Sequence, residues 1–98
     1  NTVKEAKEEA GVDVVPERLI AVQDRARHNQ PLYAYGVCKI FVLCTLLGGR
    51  FEKNSETLQS RWFGEDELPA LAEEKNTAQQ IRMCFQASRD PNWKVQFE

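Results

Sequence analysis

The stretch VKEAKEEAGV, residues 3–12, places three glutamates within five positions and follows them with a glycine. Residues 1–10 contain neither glycine nor proline and are rich in good helix formers, so they predict a helix. Gly11 is the predicted end of this helix, because a helix terminus often needs a residue at positive φ. The question is why so short a helix carries so many carboxylates.

The predicted helix has two chemically different sides. A helix turns by about 100° per residue, so three apolar side chains fall on one side and three carboxylates on the other. The apolar residues are Val3, Ala6 and Ala10, expected to pack against a sheet, and the acidic residues are Glu5, Glu8 and Glu9. Like charges three or four residues apart destabilise a helix by roughly 0.2–0.5 kcal/mol per pair. A divalent cation would reverse that repulsion, since clustered carboxylates suit Mg²⁺ or Mn²⁺; an ordinary solvated face is the alternative.

Composition limits the classes of function. The 98 residues suffice for one small domain, and a formal net charge of -2 does not suggest nucleic acid or an anionic membrane as partner. No apolar run approaches the roughly 20 residues that cross a bilayer, and no signal-peptide pattern is visible. The three cysteines are odd in number and form no C-x-x-C pair. They favour a reducing, cytoplasmic compartment and argue against a structural zinc site.

The remaining chain alternates extended and helical patterns. The stretches 12–15 (VDVV) and 18–25 (RLIAVQDR) predict extended segments with Pro16 as a break, because they are rich in β-branched side chains. The almost wholly apolar run 34–48 predicts a central strand covered on both faces. The other predicted elements are a loop at 26–32, a strand at 58–63, a helical turn at 65–71, a helix at 76–89 with Asn76 as N-cap, and an edge strand or surface tail at 90–98.

The run KEAKEEAGV resembles the second half of the Nudix box. That motif reads Gly, five residues, Glu, seven residues, then Arg-Glu-U-x-Glu-Glu-x-Gly-U, where U is a bulky apolar residue. The outright matches are Glu5, Glu8, Glu9 and Gly11, and Val12 fits the last apolar place. Lys4 replaces the arginine, which keeps the charge but loses the planar fork that holds a carboxylate. The first half would lie upstream of Asn1, so we expect the chain to be the C-terminal part of a longer protein.

Downstream motifs extend the resemblance. Trp62-Phe63 and then Glu67-Leu68-Pro69 follow the apolar strand in the order and spacing of many Nudix hydrolases. The stretch QPLYAYGVCKIFVLC, residues 30–44, is similar to a bacterial subgroup described as ADP-ribose or CDP-choline pyrophosphatases. The resemblance implies an α/β fold with a mixed sheet packed between helices. Residues 1–98 would then form the C-terminal portion of a single Nudix domain.

The resemblance also implies a chemistry and its residues. Members of the family use Mg²⁺ or Mn²⁺ to hydrolyse the pyrophosphate of a nucleoside diphosphate linked to another group, such as ADP-ribose. Glu5, Glu8 and Glu9 map onto the metal-binding glutamates, with Glu8 binding directly or through water. The general base varies within the family between the box and a downstream loop, so the catalytic candidates are Glu5 and Glu56. The substrate-binding candidates are Arg25 and Arg27 for a phosphate or carboxylate and Tyr33 for a nucleobase.

Three alternatives stay open at this point. The substrate could be CDP-choline, the domain could bind nucleotide-sugars without cleaving them, or the 98 residues could be an inactive fragment. The intact glutamates favour the enzyme, which would act on a small nucleoside-diphosphate substrate, and the family's habit of pairing predicts a homodimer. His28 is expected to have a surface role, whereas Trp62 and Phe63 are expected in the core.

Overall fold

The computed structural model describes residues 2–49, 62–71 and 75–98 of the chain. Its main elements are the helices α1 (Thr2–Ala10) and α2 (Ala78–Arg89) and the strands β1 (Val12–Asp24), β2 (Cys38–Gly49) and β3 (Gln96–Phe97). Short 3₁₀ turns occupy Arg25–Arg27 and Glu65–Glu67. Residues 58–61 of the predicted strand at 58–63 lie outside the described residues, as does Glu56. Trp62 and Phe63, which the structure describes, are not part of a strand. No helix in the described part combines the length and the apolarity that spanning a bilayer requires.

The described strands form a mixed sheet with the order β2-β1-β3. Strand β3 runs parallel to β1, with Ala21 opposite Gln96 and Val22 opposite Phe97. Residues 90–98 were predicted to form an edge strand or a surface tail, and β3 shows that they add a strand. The prediction that β2 is central is wrong for the described sheet, because β1 holds that place. Phe41 and Leu43 of β2 pack against the core, whereas Ile40 on this strand remains 62% exposed.

Strand β1 is one continuous element of 13 residues, although two segments separated by Pro16 were expected. Pro16 is exposed within the strand. A proline lacks an amide hydrogen, so a strand accommodates it only where the ladder needs no donor. The β-branched and apolar residues on both sides of Pro16 thus outweighed the break that the proline suggested.

Two compact units emerge from the chain. The first consists of the described residues within 1–18 and 44–62, and the second of those within 19–43 and 63–98. In the first unit, α1 ends as predicted: Gly11 has φ 74° and its amide donates to the Lys7 carbonyl at 3.0 Å. Of the three apolar residues predicted to pack against the sheet, Ala6 and Ala10 are half-buried and Val3 is 46% exposed. No residue of α1 is fully buried.

The core of the second unit lies between β1 and α2. Ile20 and Ala21 of β1 pack with Met83 and Ala87 of α2, and these four residues form one buried cluster. Partly buried side chains surround the cluster; they are Phe41, Leu43, Cys84 and Trp93. Burial of this apolar surface is the main force that holds α2 on the sheet.

Two predicted details of the second unit change in the structure. The N-cap of α2 is Thr77 and not Asn76, because the Thr77 hydroxyl accepts the Gln80 amide while the Gln80 side chain accepts the Thr77 amide. This reciprocal capping box satisfies two amide groups that the first turn would otherwise leave without partners. Phe63 was predicted to lie in the core, and in this unit it is half-buried. Trp62, assigned to the first unit, is 68% exposed, so its predicted core position is wrong.

Candidate functional site

The carboxylates of α1 form the candidate metal-binding face in the first unit. Glu5, Glu8 and Glu9 are all exposed, as their spacing along the helix predicts. Lys4 Nζ lies 3.9 Å from Glu8 Oε1, one helical turn along. Both side chains of this pair are well exposed, so the pair adds little stability and leaves the acidic face accessible.

The donor chemistry of this face suits a hard divalent cation. Within the described residues, no three histidine, cysteine, aspartate or glutamate side chains converge as a group that could hold a metal. A Mg²⁺ site does not need three, because Mg²⁺ commonly takes one or two carboxylates and completes its octahedron with water and substrate phosphates. Two of the three exposed carboxylates on α1 would therefore be enough.

Two contacts fix the end of the helix that carries these glutamates. Lys7 Nζ lies 3.5 Å from an Asp13 carboxylate oxygen, just beyond the C-terminus of α1. A lysine in the last turn also opposes the negative end of the helix dipole. Gly49, with φ 91°, approaches Gly11 so closely that a Cβ at position 49 would lie 2.5 Å from the Gly11 carbonyl oxygen. The end of β2 and the end of α1 are thus in direct backbone contact.

The predicted substrate-binding arginine in the second unit is built into its loop. Arg25 is only 4% exposed, and its Nη1 donates to the Pro31 carbonyl at 2.7 Å. Its guanidinium carbon lies 3.5 Å from the centre of the Tyr33 ring. Tyr33 in turn stacks on Tyr35, with the ring centres 5.3 Å apart and the planes inclined by 28°. Arg25 therefore orients an aromatic pair, while Arg27, two residues on, is exposed.

The surface role expected for His28 takes a specific form. His28 Nε2 lies 2.7 Å from Glu98 Oε2, and the backbone amide of Asp24 donates to Glu98 Oε1 at 2.9 Å. The hydrogen bond with His28, followed by the one from Asp24, holds the pKa of the Glu98 carboxyl below its ordinary value. These contacts anchor the segment after β3 beside the 3₁₀ turn at Arg25–Arg27.

A buried amide network lies behind the same loop and was not predicted. Gln80 Nε2 donates to Gln23 Oε1 at 2.9 Å and to Asn29 Oδ1 at 2.8 Å. Asn29 Nδ2 returns a hydrogen bond to Gln80 Oε1 at 3.1 Å. Buried amides must find such partners, so the network fixes the loop against β1 and α2. No sequence motif marks three amides that are this far apart in the chain.

Comparisons with known proteins find relatives whose names describe pyrophosphatases or diphosphatases. No family model matches the sequence. A protein of Bacillus subtilis (strain 168) is 42% identical over 98 residues, which are 100% of this chain and 47% of the relative; its name, ADP-ribose pyrophosphatase YjhB, is provisional. The chain thus spans about half the length of the curated relative that it matches.

Two solved structures share the fold closely. The crystal structure of an ADP-ribose pyrophosphatase from Streptococcus suis 89-1591 matches with a TM-score of 0.91 and 47% identity, over 100% of this chain and 69% of that one. A UDP-X diphosphatase matches with a TM-score of 0.85 and 33% identity, over 98% of this chain and 46% of the other. The match to the Streptococcus suis structure covers the whole chain and so includes α1 and the loop from Arg25 to Tyr35.

Proposed function

The chain belongs to the Nudix hydrolase family, and from that premise we propose that it hydrolyses the pyrophosphate of a nucleoside diphosphate linked to a second group, with ADP-ribose as the leading substrate. The observation that carries the proposal is the exposed face of Glu5, Glu8 and Glu9 on a helix that ends at Gly11. The names of the relatives from Bacillus subtilis and Streptococcus suis support ADP-ribose as the substrate.

In the proposed reaction, water attacks one phosphorus atom of the diphosphate bridge. A new P–O bond forms to the water oxygen, and the bridging P–O bond breaks, so that ADP-ribose would yield AMP and ribose 5-phosphate. A bound Mg²⁺ or Mn²⁺ supplies charge neutralisation on the phosphate oxygens and activates the water.

The proposed roles of the residues follow from their positions and chemistry. Glu5, Glu8 and Glu9 would hold the cation, Glu8 either directly or through water. Glu5 or Glu56 accepts the proton that the attacking water loses; Glu56 lies outside the described residues.

We propose substrate contacts in the second unit as well. Tyr33, stacked on Tyr35 and held by Arg25, offers an aromatic surface of the kind on which a nucleobase can stack. The exposed Arg27 would contact a phosphate or carboxylate of the substrate. Arg25 is mostly buried, so its share in binding would come through the position it gives to Tyr33 and the cationic edge it presents to the adjoining cavity.

The proposal extends to compartment and assembly. All three cysteines of the chain are free thiols, and burial raises the pKa of the Cys84 thiol, which keeps it in its less reactive protonated form. These features support a reducing compartment, the cytoplasm.

We also propose a homodimer, which light scattering on the purified protein would test.

The experiment that tests the function uses the purified protein with ADP-ribose, CDP-choline and a UDP-sugar in parallel. Each substrate is incubated with Mg²⁺, with Mn²⁺ and with EDTA, and the nucleoside monophosphate formed is measured by liquid chromatography. We expect AMP from ADP-ribose in the presence of either metal and none with EDTA. Faster release of CMP from CDP-choline would change the substrate. Tight binding of a nucleotide-sugar without any product would contradict the enzyme and favour a sensor.

A further inference from the structure

A cavity in the second unit gathers positive charge beside the aromatic pair. Its volume is about 350 Å³, and it is lined by Arg25, Tyr33, Val37, Lys39, Lys75 and Asn76. Three of these six side chains are cationic, and none of the described residues that line the cavity is acidic. Arg25 and Tyr33 were predicted from the sequence as substrate-binding residues, whereas the two lysines were not, because isolated lysines form no motif.

Lys39, one of the two cavity lysines, is held by a neutral amide. Lys39 Nζ donates to the amide oxygen of Asn76 at 3.1 Å. Burial in the first place, and the charge of Arg25 in the second, lower the pKa of the Lys39 ammonium. The cavity therefore contains two cations that repel one another, an arrangement whose cost a bound anion would remove.

Other features of the cavity wall favour an anion that carries an organic group. Helix α2 begins at Ala78, directly after Asn76 and the Thr77 cap, so the positive end of its dipole points toward this region. Because the capping box already occupies the amides of Thr77 and Gln80, the dipole adds only a favourable field. Tyr33 and Val37 give the cavity an apolar side against which a sugar or base can lie.

We propose that this cavity is a phosphoryl-binding subsite, in which Lys39 and Lys75 contact the phosphate oxygens while Arg25 holds Tyr33 against the attached nucleoside or sugar. The inference rests on the proposed function, because it takes the phosphoryl group to come from the nucleotide substrate or product. Ammonium groups bind phosphate as mobile point charges, which suits two lysines on separate segments. A free phosphate ion would use the same contacts, and the test separates the two sources.

The test measures binding of AMP, inorganic phosphate and adenosine to the purified protein by calorimetry, with EDTA present so that no metal contributes. The variants are Lys39→Gln, Lys75→Gln and the double substitution, with Lys94→Gln as the control. Lys94 is exposed and does not line the cavity. Circular dichroism and the melting temperature establish that each variant is folded.

We expect AMP to bind more tightly than phosphate, and adenosine to bind most weakly. Each single substitution should weaken AMP binding by about tenfold, as for the loss of one charge-assisted hydrogen bond, and Lys94→Gln should leave it within about twofold. Equal AMP affinity in the wild type and the double variant would overturn the subsite. Adenosine binding as tight as AMP binding would overturn it too, since the phosphoryl group would then contribute nothing. Phosphate binding as tight as AMP binding would overturn the nucleotide as the source of that group.

Turnover of ADP-ribose with Mg²⁺, measured on the same preparations, keeps this inference separate from the proposed function. If the wild type forms AMP from ADP-ribose but the lysine substitutions do not change AMP affinity, the hydrolase is retained and the subsite is refuted. Lysine-dependent AMP binding without turnover of any substrate would refute the hydrolase and retain the phosphoryl site.

Discussion

The guanidinium carbon of Arg25 lies 3.5 Å from the centre of the Tyr33 ring, while Nη1 of the same group donates to the Pro31 carbonyl at 2.7 Å. One buried cation thus joins the start of the loop between β1 and β2 to the middle of the same loop. The planar guanidinium can stack and donate at the same time, which an ammonium group cannot do. The loop that carries the proposed base-stacking tyrosine is therefore held by an arginine whose shape matters as much as its charge.

Replacing Arg25 by lysine should lower the free energy of unfolding by about 1–2 kcal/mol, because the stacking and the fixed hydrogen bond are both lost. Urea denaturation of the wild type and the variant measures the change. Arg27→Lys is the matched control, since Arg27 is exposed in the same turn and should change stability by less than about 0.5 kcal/mol. Equal effects at the two positions would contradict the role given to Arg25.

Gly49→Ala should destabilise the protein by about 1–3 kcal/mol, because position 49 has φ 91° and its new Cβ would meet the backbone of Gly11 and Val12. Gly48→Ala is the control, as nothing lies within 4 Å of a Cβ there. Thermal unfolding of both variants measures the difference. If both substitutions were tolerated equally, the end of β2 would not approach the end of α1 as described.

Gln80→Leu should cost about 2–4 kcal/mol, since it removes half of the capping box and leaves Gln23 and Asn29 buried without their partner. Gln79→Leu, on the exposed side of the same helix, should cost less than about 0.5 kcal/mol. Chemical denaturation compares them. A small loss for Gln80→Leu would mean that the amide network does not stabilise the loop.

The Glu98 carboxyl should make stability depend on acid pH. Its pKa is lowered by His28 first and by the Asp24 amide second, so its contribution is present above about pH 4.3, where an unfolded glutamate titrates, and is lost as the pH falls through the lower folded value. The difference between the melting temperatures at pH 6 and at pH 3 should therefore be smaller for Glu98→Gln than for the wild type. Glu67→Gln, outside this pair, is the control and should behave as the wild type does.

Local signals predicted the first helix and its exposed acidic face. The helix formers of residues 2–10, the stop at Gly11 and the acidic face all follow from spacing along a few turns, and the structure reproduces them. The cap of α2 was misplaced by one residue because Asn76 and Thr77 are both good N-caps. Only the three-dimensional positions show that the Thr77 hydroxyl accepts the Gln80 amide.

Long-range pairing explains what the sequence could not predict. An apolar run indicates that a strand is buried but does not fix its place in a sheet, so β2 was expected at the centre, where β1 lies. His28 and Glu98 meet although they are 70 residues apart, and Lys39 meets Asn76 across 37 residues. Such contacts depend on how α2 and β3 return to β1, which no motif within the chain encodes.

The carboxylates of α1 carry the proposed metal chemistry, and Glu9→Gln tests them most directly. The substitution keeps the size of an exposed side chain while removing its charge, so the protein should remain folded, which circular dichroism measures. We predict that metal-dependent AMP release from ADP-ribose falls by at least about a hundredfold and that Mn²⁺ binding weakens in parallel. Asp66→Asn, an exposed acidic residue outside α1, should retain wild-type turnover. Full activity and unchanged Mn²⁺ binding in Glu9→Gln would contradict the claim that this helix face holds the catalytic metal.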